Sequence, residues 1–182
     1  MGMGVVELSG RDRLSYPREV FTDLITGLSS QRMLEDKLML AIAQAKRSRE
    51  LLAIALFDVE NYEVLAKGRG QEAGEELLQE LARRTMSCLR QSDTVARIGA
   101  NTFALILPGV KSRTNAVLVA NRVLEACRQP FPIREKIFIP SGSISLCFFP
   151  QDQQTFAEAV SKDEVGRYLS RERKLPQVWL TF

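Results

Sequence analysis

Histidine is absent from all 182 residues, and with it the usual general base near neutral pH and the commonest zinc ligand. Acid–base chemistry would have to come from carboxylates or lysines. The three cysteines, Cys88, Cys127 and Cys147, are odd in number, far apart and without metal-ligand spacing. They fall in apolar stretches and are expected to be buried small hydrophobes in a reducing cytoplasm. No apolar run approaches the roughly 20 residues that a membrane span requires, and the N-terminus lacks the charged-then-apolar pattern of a signal peptide. A charge excess is missing as well. The 25 basic and 22 acidic residues leave a net +3, and they are interspersed, with no basic block to track a nucleic-acid backbone. These absences lead us to expect a cytoplasmic chain with neither a nucleic-acid nor a membrane partner, and with no resident cofactor.

What is present is a core. At 45% hydrophobic residues the chain can bury the interior of one domain, and no repeat, low-complexity tract or linker divides it. Residues 1–20 carry Gly2, Gly4, Gly10 and Pro17 and read as an N-terminal arm, with the domain proper over 21–182. DLITGL, residues 23–28, reads as a compact turn. Ser30 is placed to cap a helix running to about Arg49, with Leu34, Leu38, Ile42 and Ala45 on one face. Glu35 and Asp36 near its start, and Lys46, Arg47 and Arg49 near its end, suit the helix dipole. LLAIALFD, residues 51–58, is an unbroken apolar run of strand length ending in an acid, as expected of a central strand whose end emerges at a site.

A short helical piece over 61–67, a turn over 68–70, a long helix over 71–90 and a further helix over 113–129 follow from apolar spacing. Pro130 and Pro132 stop the last of these. Strands are expected over 136–139 and 143–149, a helix over about 155–173 and a closing strand over 177–182. The fold class expected is α/β (α+β): a mixed, mostly antiparallel central sheet flanked by helices.

Between the long helices, Thr94 to Ile98 and Phe103 to Leu107 are β-rich runs joined at a Gly-Ala-Asn tip. Gly99 and Asn101 tolerate the positive φ that a tight hairpin demands. The tip itself carries no acid, base or nucleophile.

Three segments in the same order and spacing resemble the GGDEF domain family, whose active members join two GTP molecules into cyclic di-GMP. DLITGL resembles the family's D-x-L-T-G-L. LFDVENYEVLAKGRGQEAGEELL resembles D-x-D-x-F-K-x-x-N-D-x-x-G-H-x-x-G-D-x-x-L, with Asp58, Glu60 and Tyr62 at the D-x-D-x-F positions. DTVARIGANTF resembles D-x-V-A-R-x-G-G-D-E-F, so the hairpin tip is the signature, reduced to Gly99, Ala100, Asn101, Thr102 and Phe103.

The resemblance implies a nucleotide-cyclase-like fold but a damaged site. Active relatives use the two signature acids to hold Mg²⁺ and activate the attacking hydroxyl. Asn101 and Thr102 can supply neither an anionic ligand nor a proton acceptor near pH 7, leaving Asp58 as a vestigial metal ligand or a strand-end cap. Catalytic residues and a bound metal are therefore not expected. The base-contacting Asn falls on Ala66, its partner Asp on Glu75, the phosphate-contacting Lys on Glu63, and a C-terminal Lys on Ser170.

One family feature survives in register. Many cyclases carry R-x-x-D five residues before the signature as a product-inhibition site, and Arg90-Gln91-Ser92-Asp93 stands at that spacing. Arg122, on the following helix, matches the arginine that often completes it. A guanidinium can fork onto phosphate oxygens or stack on guanine, and a carboxylate can accept from the guanine edge. The same two charges also suit a helix end followed by a turn. The functional expectation is a catalytically silent domain that binds cyclic di-GMP through Arg90, Asp93 and Arg122. A protein-interaction module with no nucleotide ligand is the alternative. A protein partner is expected in either case, and self-association into a homodimer is left open.

Overall fold

The computed structural model describes residues 21–133, 136–150 and 178–181. In chain order the elements are α1 (Gln31–Ser48), β1 (Leu51–Val59), α2 (Tyr62–Arg69), α3 (Gln71–Ser87), β2 (Thr94–Arg97), β3 (Thr102–Val110), α4 (Arg113–Cys127), β4 (Phe131–Ile133), β5 (Lys136–Phe138), β6 (Gly142–Phe149) and β7 (Val178–Thr181). Five strands form one sheet in the order β2-β3-β1-β6-β7, and β4 and β5 form a separate ribbon. Every described strand pair is antiparallel, with one isolated parallel bridge from Ser29 to Ala96 at the β2 edge.

β1 lacks the alternation of a half-exposed strand because helices cover both faces of the sheet. On one face, Leu34, Leu38, Ile42 and Ala45 of α1 pack against Leu52 and Ile54 of β1 and Ala104 and Ile106 of β3. On the other, Ala53, Ala55 and Phe57 meet Leu77, Leu78 and Leu81 of α3 and Ala116, Ala120 and Val123 of α4. Phe57 and Phe103, opposite each other in the ladder, stack with centroids 5.7 Å apart and no exposed surface. Truncating either to alanine should cost about 3–5 kcal/mol.

This packing fixes the site, because the register that seats Phe57 against Phe103 also sets Asp58 beside Thr102. On the other side of β1, Val59 lies opposite Gly142, whose missing side chain is required: a Cβ there would sit 2.5 Å from the Asp58 carbonyl oxygen. Among the described residues, no helix is long and apolar enough to cross a membrane.

Several expectations need correction. The hairpin tip contains no left-handed residue; among the described residues the positive φ values fall at Gly27, Arg49, Gly70 and Gly109, so neither Gly99 nor Asn101 uses that freedom. The connection from Arg97 to Thr102 is long enough to close without it, tied by the Ile98 amide donating to the Thr102 carbonyl at 3.0 Å. The first turn of α1 holds no acid, although Ser30 caps it as expected and Lys46 and Arg47 occupy its last turn. α2 runs through Lys67 to Arg69, leaving Gly70 alone as the junction, and α3 stops at Ser87. Pro130 and Pro132 do more than stop α4: Phe131 and Ile133 flank Pro132 on β4, a strand absent from the sequence-based expectation. The expected helix over 155–173, Ser170 and the arm over 1–20 lie outside the described residues.

Candidate functional site

The sheet register gathers the signature residues at the end of β1, where their polar groups bond to each other. The Thr102 hydroxyl donates to Asp58 Oδ1 at 2.7 Å. The Asn101 side-chain amide donates to the Val59 carbonyl at 2.7 Å, and the Val59 amide returns a bond to the Asn101 carbonyl at 3.0 Å. Asp58 therefore does not cap α2, whose N-cap, Asn61, makes no side-chain cap bond either. Asn61 instead donates from Nδ2 to the Ile139 carbonyl at 2.9 Å and accepts from the Ser141 amide at 2.9 Å, pinning the strand-to-strand connection beside the tip.

Behind the tip, Arg97 joins two of the sequence segments. Its guanidinium pairs with Asp23 at 3.1 Å and donates to the Ala100 carbonyl at 2.8 Å, so the DLITGL turn is tied to the signature. Burial raises the Asp23 pKa, but the hydroxyl and amide of Thr26 and the charge of Arg97 outweigh it and hold the carboxyl below its usual range. Both residues stood in the quoted segments; their pairing across 74 positions had no signal in the sequence.

Past the end of α3, the chain turns at Arg90–Asp93. The Asp93 carboxylate accepts from the Arg90 backbone amide at 2.8 Å, and the Asp93 amide donates to the Arg90 carbonyl at 3.0 Å. Asp93 thus holds the turn through the backbone of Arg90, and the Arg90 guanidinium is exposed. Arg122, on α4, donates from Nη2 to the Cys88 carbonyl, which anchors it to the end of α3. Arg90, Asp93 and Arg122 line one cleft of about 260 Å³, together with Lys111, Asn115 and Leu118. Lys111 and Asn115 had no signal in the sequence beyond being polar residues near a helix start.

Comparison with known proteins identifies the fold. The family described as "Diguanylate cyclase, GGDEF domain" matches residues 20–172. The chain belongs to the GGDEF family. It is similar to the bifunctional diguanylate cyclase/cyclic di-GMP phosphodiesterase MucR of Pseudomonas aeruginosa, 28% identical over 83% of this chain and 22% of MucR. Among solved structures it is similar to the GGDEF domain of TpbB (YfiN) from Pseudomonas aeruginosa, with TM-score 0.72 and 26% identity over 85% of this chain and 90% of that one. A sensory box/GGDEF protein from Caulobacter crescentus gives TM-score 0.72 and 28% identity over 85% and 98% of the two chains. The chain spans 22% of the length of MucR and 38% of that of the diguanylate cyclase TpbB.

The positions where the resemblance leads one to expect Mg²⁺ and GTP contacts are occupied here by Asn101, Thr102, Glu63, Ala66 and Glu75. Mg²⁺ is usually held by carboxylates and substrate phosphates. Here the one strand-end carboxylate accepts a hydroxyl proton, its neighbours are an amide and a hydroxyl, and no metal-binding group of three or more acidic, cysteine or histidine residues occurs among the described residues. The residues present do not fit the ion. Glu63, at the phosphate-contacting position, is exposed and paired with Lys67 at 2.6 Å, and that bond pulls its pKa down and keeps it anionic. Ala66 packs against the core and offers no base-edge partner, and Glu75 accepts from Gln71 at 3.2 Å.

Proposed function

We propose that residues 21–182 act as a degenerate GGDEF domain that makes no cyclic di-GMP and binds it at Arg90, Asp93 and Arg122. The observation that carries this reading is that the three residues, from the α3–β2 turn and from α4, line a single cleft. Its cations, Arg90, Lys111 and Arg122, enter no ion pair among the described residues. A cyclic dinucleotide carries two phosphates and two guanines. The guanidinium groups suit the former, and Leu118 with the side chains around it gives the latter an apolar surface. The names of the relatives, which make or break cyclic di-GMP, supply the chemical class of ligand.

Loss of synthesis rests on the tip. A hydroxyl and an amide stand in place of the two acids, and each donates a bond inside the chain. Two-metal phosphoryl transfer cannot be assembled from Asp58 alone. The test has two arms. GTP with Mg²⁺ should give no cyclic di-GMP, and calorimetry should register cyclic di-GMP binding that weakens about 10- to 100-fold in Arg90→Ala, from ~1.5–3 kcal/mol for a charge-assisted bond. Product formed by wild type, or equal affinity in wild type and Arg90→Ala, overturns the corresponding half.

A second reading, a protein-interaction module without nucleotide, is favoured by a different observation. Val64, Ile137 and Ile139 are 71%, 70% and 63% exposed, and the Ile139 backbone is tied to Asn61 beside the tip. Absence of any heat with cyclic di-GMP would leave this account standing.

A further inference from the structure

We infer that Lys111 is a third phosphate contact in the Arg90–Asp93–Arg122 cleft, and that it lets the site cover both phosphates of a cyclic dinucleotide within one chain. This rests on the cyclic di-GMP reading above and extends it to a residue outside the R-x-x-D pattern. Lys111 lies between β3 and α4, just past the left-handed Gly109 at φ 61°, and it lines the same cleft.

Charge balance is the first argument. Arg90, Lys111 and Arg122 against Asp93 leave the cleft with two net positive charges, which matches one negative charge on each of two phosphodiesters. Without Lys111 a single net charge would face both. The second argument is reach. Arg122 commits a guanidinium nitrogen to the Cys88 carbonyl, so it is anchored at the α3 end of the cleft and cannot swing toward a distant phosphate. Lys111 is exposed and enters no hydrogen bond or ion pair among the described residues, so its ammonium can follow the ligand.

The third argument concerns the neighbouring amide. The Ser112 hydroxyl caps α4 by accepting from the Asn115 amide at 3.2 Å, and it donates to Asn115 Oδ1 at 2.6 Å. What Asn115 still offers the cleft is its NH₂ group, a donor suited to a phosphate oxygen or a guanine acceptor. On this rim Lys111 and Asn115 thus offer the cleft an ammonium and an amide NH₂ group.

An ammonium acts as a point charge and not as a directional fork, so charge at position 111 should matter more than shape. Calorimetry with cyclic di-GMP tests this on the whole chain. Lys111→Ala should weaken binding about tenfold, Lys111→Glu should weaken it further, and Lys111→Arg should restore it. The affinity of Lys111→Ala should also fall less steeply than that of wild type as salt rises from about 50 to 200 mM, because one screened contact is gone. Lys136→Ala, which removes a cation that does not line the cleft, should leave affinity unchanged. If Arg90→Ala weakens binding and Lys111→Ala does not, the R-x-x-D site stands and this inference falls. If only Lys111→Ala weakens it, the lysine contact stands and the R-x-x-D assignment falls. No binding by wild type overturns both.

Discussion

The four residues of β2 separate two polar clusters that use their hydrogen-bonding capacity in opposite ways. At the C-terminal end of β2, Arg97, Asn101 and Thr102 all bond to their own chain, to Asp23 and Ala100, to Val59 and to Asp58. At the N-terminal end, the Arg90 guanidinium makes no such bond among the described residues, while the Asp93 carboxylate accepts from the Arg90 amide and the Ser92 hydroxyl. A group satisfied inside the fold contributes to stability but has little left to offer a ligand. The same hairpin thus has one end turned to structure and one end left open to chemistry, and the family signature lies on the structural end.

The most severe challenge to this contrast is to restore the acids. Asn101→Asp with Thr102→Glu should still give no cyclic di-GMP from GTP and Mg²⁺, because the metal ligands would return without the nucleotide contacts. Ala66 would still present a methyl group to the base, and the Glu63 carboxylate would still face the triphosphate. Robust turnover by the double variant would show that GTP is held by other groups, and that the tip alone separates this chain from an active cyclase.

Asp93 sharpens the other side. Its carboxylate holds the Arg90 backbone, so Asp93→Ala should release the turn as well as remove a guanine acceptor, and weaken cyclic di-GMP binding about as much as Arg90→Ala, 10- to 100-fold. Asp93→Asn keeps an acceptor for the backbone amide and should cost less. Equal losses in the two Asp93 variants would mean that the carboxylate meets the ligand and that the turn is incidental.

How far the sequence reveals these differences depends on the range of the interaction. The α1 stripe of Leu34, Leu38, Ile42 and Ala45, the Ser30 cap and the buried run of β1 are local patterns, and the structure realises each of them. Arg90, Asp93 and Arg122 could be placed near one another because the family resemblance carried the long-range information that periodicity lacks. The pairing of Thr102 with Asp58 depends on strand register, and that of Arg97 with Asp23 on where a turn lands against an edge strand. Neither residue type nor spacing encodes these. β4 escaped notice because a proline inside a three-residue strand is tolerated only on an edge, a context invisible before the ribbon is built.

The last turn of α4 carries no basic residue of its own, and Arg84 of α3 takes that place. It donates to the carbonyls of Ala126, Cys127, Gln129 and Pro130 at 3.4, 3.4, 2.6 and 3.1 Å. Arg84 is 13% exposed, so Arg84→Ala should lower stability by ~2–3 kcal/mol, by urea unfolding, through loss of charge-assisted bonds to the carbonyls at and just past the α4 end. Ligand affinity should change much less than in Arg90→Ala. A loss as large as that of Arg90→Ala would mean that the α3–α4 packing, and not the side chains lining the cleft, sets the affinity.

The smallest effect should appear in acid. Glu80 accepts from Arg83 at 2.6 and 2.8 Å and from Arg84 at 2.7 Å. The Arg83 bond is the main cause, opposed by burial and aided by Arg84, and together they draw the Glu80 pKa from 4.5 to about 2. A carboxyl whose folded pKa is depressed stabilises the fold fully above its unfolded value. That contribution fades as pH falls from 4.5 toward about 2. Glu80→Gln should therefore be less stable than wild type near neutrality, and the gap should narrow steadily through this window. Asp23 is depressed too and should add its own acid-range loss, which Asp23→Asn would remove separately. Urea midpoints of wild type and Glu80→Gln at about pH 6 and about pH 3 decide the point. A gap that stays constant between the two would show that Glu80 orients Arg84 by shape alone and that its charge contributes nothing to the clamp on α4.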